Sequence, residues 1–121
     1  MTFDIAADDL RLLAEIGFLG IGRGRAAEAE VIFALLRRMR PDQEAGHVGG
    51  ALVALSGGRL DQAAQVLRSA PQTESVLAFR ALVHDRAGDK GLAAGLIEDL
   101  GFMRASPAAM EIAEAATGQR G

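Results

Sequence analysis

Two histidines, two acid pairs, four serines and one arginine cluster are the side chains of this 121-residue sequence that could do chemistry. His47 and His84 lack the H-E-x-x-H neighbourhood of a helical zinc site and are read as imidazoles packed in the interior. Asp8-Asp9 and Glu98-Asp99 fall near helix ends or on solvated faces, which suits no acid–base pair. Ser56, Ser69, Ser75 and Ser106 have no neighbouring His or Lys to activate a hydroxyl. The stretch "GFLGIGRG" does not spell G-x-G-x-x-G, and it lies within and after a helix, not after a strand, so it is no dinucleotide loop. Cysteine is absent, which removes disulfides, thiolate metal sites and a thiol nucleophile. The expectation is a protein that is not an enzyme and that needs no cofactor and no metal.

Composition narrows the alternatives. Half the residues are hydrophobic, with five Phe and no Trp or Tyr, and the formal charge is −3. Such a chain has the apolar mass for one packed domain and lacks the basic footprint of a nucleic-acid binder. Arg37, Arg38 and Arg40 close a predicted helix, where they would complement its dipole. Apolar runs such as "VIFALL" are too short to span a bilayer. The first residues include Asp4, Asp8 and Asp9 and lack the basic start of a secretory signal. A cytoplasmic location without membrane attachment is the default expectation.

The elements that must position these residues are written in a repeat. Gly24 and Gly58 lie 34 apart, as do Gly17 and Ala51, Ala29 and Ala63, and Phe33 and Leu67. A third copy follows at a spacing of 30: Ala81, Gly88, Ala93 and Ile97. Pro71 comes four places earlier in its unit than Pro41 does in the first, so the second unit ends a helical turn early. Each unit reads as helix, glycine turn, helix. First helices are predicted over Asp9–Ile21, Glu44–Ser56 and Thr73–Ala87, and second helices over Ala26–Met39, Leu60–Ser69 and Lys90–Arg104. In the first helix Leu10, Leu13, Ile16, Gly17 and Gly20 recur at helical spacing as the apolar face. Gly46, Gly49 and Gly50 weaken the third helix and are read as points of close helix packing. Ser106-Pro107 opens a final helix to residue 118 that could cover the exposed end of the last pair.

A helix pair repeating every 34 residues resembles the tetratricopeptide repeat. The resemblance lies in Gly17, Ala51 and Ala81, in Gly24, Gly58 and Gly88, in Ala29, Ala63 and Ala93, and in Phe33 and Pro41. Leu13, His47 and Leu77 stand where that family commonly has Trp, and Gly20, Ala54 and His84 where it has Tyr. The resemblance implies an all-α, right-handed α-solenoid of three helix pairs, over residues 10–43, 44–73 and 74–105, with the helix over 106–118 as a C-terminal cap. It also implies a concave groove lined by the first helices. The family's groove positions fall on Arg11, Ala14, Phe18 and Ile21, on Ala45, Val48, Leu52 and Leu55, and on Ser75, Ala78, Leu82 and Asp85. Phe18, Ile21, Val48, Leu52, Leu55, Ala78 and Leu82 would form an apolar strip suited to the face of an amphipathic helix. The Lys and Asn of a carboxylate clamp are missing from these positions.

A short chain of three degenerate repeats is similar to the small tetratricopeptide chaperones and accessory proteins of bacterial type III secretion. What this implies is a chaperone that sequesters the amphipathic helix of a needle-type subunit, with a small helical co-chaperone as a further partner. A generic scaffold or adaptor, or a homodimer formed through the grooves, is the competing expectation.

Overall fold

The computed structural model describes residues 7–102, together with Pro107 and Ile112. All six elements among the described residues are α-helices: α1 (Ala7–Gly22), α2 (Ala26–Met39), α3 (Glu44–Ser56), α4 (Leu60–Arg68), α5 (Glu74–Arg86) and α6 (Lys90–Phe102). Pro107 and Ile112 are helical and exposed, and the final helix expected over 106–118 otherwise lies outside the described residues.

The three hairpin turns are the same turn made three times. Gly24, Gly58 and Gly88 adopt φ of 75°, 72° and 89°, a left-handed conformation that costs glycine nothing. In each, the glycine N–H donates three residues back: to Ile21 O at 3.1 Å, Leu55 O at 3.0 Å and Asp85 O at 3.1 Å. The next N–H reaches five back, from Arg25 to Gly20 O at 2.7 Å, Arg59 to Ala54 O at 2.9 Å and Asp89 to His84 O at 2.8 Å. This pair of bonds is the Schellman closure of a helix C-terminus. Its recurrence fixes the register of the repeat in the backbone itself.

Packing follows that register. The small-residue positions Ala29, Ala63 and Ala93 are each at most 1% exposed, and Ala51 and Ala81 are fully buried. Phe33, Leu67 and Ile97 fill the space beside them. Within each hairpin the two helices pack together, and α2 and α4 pack in turn against α3 and α5 of the following hairpin. Consecutive first helices also touch, α1 with α3 and α3 with α5, whereas no contact joins α2 to α4 or α4 to α6. The stack is therefore tighter on the side of the first helices.

α4 is the short element, with 9 residues against 14 in α2. Its end is sealed by Gln72, whose Nε2 donates to Leu67 O at 3.2 Å and Ala70 O at 2.7 Å. Thr73 then caps α5 by accepting from Val76 N at 3.3 Å. The same hydroxyl donates to the Glu44 carboxylate at the start of α3, tying the second and third hairpins together.

α3 is held closest of all. Its Gly49 faces the Phe33 ring and its Gly46 faces the α2 backbone, with the Arg37 N only 2.7 Å from where a β-carbon would lie. Gly50 lies under the Arg37 guanidinium. Arg37 therefore does not serve the dipole of its own helix, as its place in the arginine cluster suggested. It crosses to α3, donating to Gly46 O at 3.0 Å, and pairs with Glu30. Arg40 does stay at the helix end, with Nη1 donating to Met39 O at 3.0 Å.

Candidate functional site

The face of the first helices is built from rows of equivalent residues. Ala14, Val48 and Ala78 form one row, Phe18, Leu52 and Leu82 the next, and Ile21, Leu55 and Asp85 a third. The rows differ sharply in exposure. Val48 (7%) and Ala78 (0%) are closed inside the core, and Ala14 is buried with them. Val48 packs in a core with Ala63, Leu67 and Val76, and Ala78 in one with Ala81, Leu96 and Ile97, so neither faces an open groove, contrary to expectation. Phe18 is exposed, and Ile21, Leu52, Leu55 and Leu82 are half-buried. These five carry the apolar strip.

Most of the strip is packed from beneath, Ile21 against the core of Leu10, Ala29 and Phe33. The Phe18 ring packs on Phe33 with centroids 4.9 Å apart and planes tilted by 57°. Leu52 and Leu55 lean on the core of Val48, Ala51, Leu67 and Val76. Asp85, which interrupts the strip in the third unit, is paired with Lys90 across the turn at 2.8 Å. The strip is thus an apolar surface seated on the helical core.

At the other end of the same face lies a cavity of about 290 Å³, walled by Leu10, Ala14, Leu36 and Ala45. Arg11 and Arg40 also line it. Arg11, Ala14 and Ala45 lie on the face of the first helices, which is apolar along Phe18 and Leu52 and basic at this end. Arg40 was legible only as part of a helix-end cluster; its approach to α1 depends on how α2 crosses its neighbour.

Both histidines are buried, His47 at 5% and His84 at 8%. His47 Nε2 is 3.0 Å from Pro41 O, which makes Nε2 the protonated nitrogen, and Nδ1 is buried with no partner among the described residues. His84 Nδ1 lies 3.8 Å from Asp89. Burial, with help from the Arg80 guanidinium, holds His84 below the ordinary imidazole range; Asp89 opposes the shift and Arg68 adds to it. The hydroxyls of Ser56 and Ser69 donate to Val53 O and Gln65 O of their own helices, at 2.7 Å and 3.4 Å. Among the described residues no three His, Cys, Asp or Glu side chains cluster as a metal site, and no helix is long and apolar enough to cross a membrane.

Compared with known protein families, with curated proteins and with solved structures, the chain matches none. What the molecule does must be argued from its own surfaces.

Proposed function

We propose that the protein is a tetratricopeptide-type binding module whose three hairpins form a right-handed solenoid, with the first helices as its concave, client-binding face. The observation that carries this reading is the strip Phe18, Ile21, Leu52, Leu55 and Leu82, apolar and partly open on three consecutive first helices. The contact of first helices with one another, without contact between second helices, supports a stack that curves inward on that side. An amphipathic helix laid along the strip would bury its own apolar face there, each well-buried aliphatic side chain contributing roughly 1.5–3 kcal/mol before ordering costs. An acidic residue one end along would meet Arg11 and Arg40.

The particular client class follows from the sequence resemblance: the amphipathic helix of a needle-type type III secretion subunit, kept monomeric in the cytoplasm, with a small helical co-chaperone as a second partner. A tetratricopeptide scaffold without a chaperone role would use the same strip for another protein helix.

The test is capture from the source organism with wild-type protein and with Leu52→Asp, both checked by circular dichroism. The wild type is expected to retain a helical client that the variant loses. Identical sets of captured proteins from two equally folded baits would overturn the reading.

A further inference from the structure

One face of α1 is built like an interface and has no neighbour among the described residues. In the second and third hairpins, the positions equivalent to Leu12, Ile16 and Leu19 are Gly46, Gly50 and Val53, then Val76, Arg80 and Val83. Gly46, Gly50, Val53, Val76 and Val83 are all buried, pressed against the second helix of the preceding hairpin. The first hairpin has no described predecessor, and its three residues are aliphatic and open: Leu12 is 55% exposed, Ile16 46% and Leu19 60%. By spacing Ile16 belongs to the apolar face of its helix, and it stands open on the outside.

The stripe continues into charge at both ends. Asp9, Leu12, Ile16, Leu19 and Arg23 follow one another at alternating steps of three and four, the spacing of a helix–helix seam. Asp9 and Arg23 are both exposed, and neither forms an ion pair with another described residue. Such a stripe complements itself in one orientation only. Two copies of α1 packed side by side and parallel would set acid beside acid and arginine beside arginine. Packed antiparallel about a two-fold axis near Ile16, they bring Leu12 of one copy beside Leu19 of the other and turn each Asp9 toward an Arg23. α1, at 16 residues, provides about 24 Å of seam.

We infer that this face of α1 is a homodimer interface, an isologous antiparallel α1–α1 pair whose occupant is a second copy of this chain. The dimer leaves the strip on the first helices free, and it does not rest on the proposed client binding.

Sedimentation velocity on the full chain across a hundredfold range of concentration tests it. The wild type is expected to pass from monomer to dimer as concentration rises. Ile16→Glu should remain monomeric with unchanged far-ultraviolet circular dichroism, because the side chain is half exposed already. Charge reversal supplies a second reading that touches no apolar contact. Asp9→Arg alone and Arg23→Asp alone should each weaken the dimer about tenfold at low salt. Mixing those two single variants should restore it as a heterodimer, because each reversed charge then meets its opposite. A wild type that is monomeric throughout would overturn the inference. So would self-association that survives Ile16→Glu, which would assign it to another surface such as the groove, and so would two single variants that fail to pair on mixing.

Discussion

The Phe33 ring occupies the space that a β-carbon on Gly49 would need, and the tip of the ring lies 2.6 Å from where a β-carbon on Gly17 would sit. One fully buried aromatic side chain is thus clasped between two glycines, one on α1 and one on α3. The glycines that weaken α3 as an isolated helix are what allow α2 to lie against it. Intrinsic propensity is given up, and contact with the largest side chain of the core is gained.

The same substitution should therefore have opposite signs at two glycines. Gly49→Ala gains about 1 kcal/mol of helix propensity but drives a methyl into the Phe33 ring, and overpacking of this kind costs about 1–3 kcal/mol. Net destabilisation is expected. Gly95, within α6, has open space where its β-carbon would lie, and Gly95→Ala should stabilise by about 0.5–1 kcal/mol. Urea unfolding followed by circular dichroism measures both; two changes of the same sign would contradict the packing.

Ala63 tests the repeat register at its centre. It is fully buried at the position shared with Ala29 and Ala93, where α4 meets α3. Ala63→Leu should lower stability by about 1–3 kcal/mol through forced displacement of the neighbouring helix. Ala64→Leu, one residue on and half-buried, should be milder. A fully stable Ala63→Leu protein would show that the helix is rotated from its assigned face.

His84 gives the stability a pH dependence of known sign. Its proton affinity is lower in the folded chain than in the unfolded one, so below the ordinary imidazole pKa of about 6.5 the unfolded state binds the extra proton. Stability is whole above that pH and falls as the pH drops through it. His84→Gln should flatten the thermal-midpoint profile between about pH 7.5 and pH 5.5 relative to wild type. Equal slopes in the two proteins would assign the dependence to other groups.

How far the fold could be read in advance is clear from particular residues. Gly24, Gly58 and Gly88 announced the turns because a left-handed residue ending a helix has few alternatives to glycine. Ala29, Ala63 and Ala93 announced the contact points because close helices exclude large side chains. The α2 and α3 boundaries follow from those signals to the residue. The partition of the first-helix face was less legible. Ala14, Val48 and Ala78 sit one turn from Phe18, Leu52 and Leu82, and only the packing of second-helix side chains such as Phe33, Leu67 and Leu96 decides which row is sealed. Arg37 was misassigned for a related reason. Its partner is a carbonyl exposed by a glycine on another helix, and nothing within α2 signals that. Ile16 belongs by spacing to the apolar face of α1, yet it is open; what differs from the later hairpins is the absence of a described hairpin to cover it.

The claim that the first helices present the client-binding strip can be tested by photo-cross-linking in the source organism. A photoreactive amino acid would replace Leu52 or Leu82 on the strip, or Gln65 on the exposed face of α4. Adducts with one and the same helical protein are expected from Leu52 and Leu82 and not from Gln65. Adducts from Gln65 with none from Leu52 or Leu82 would contradict the claim.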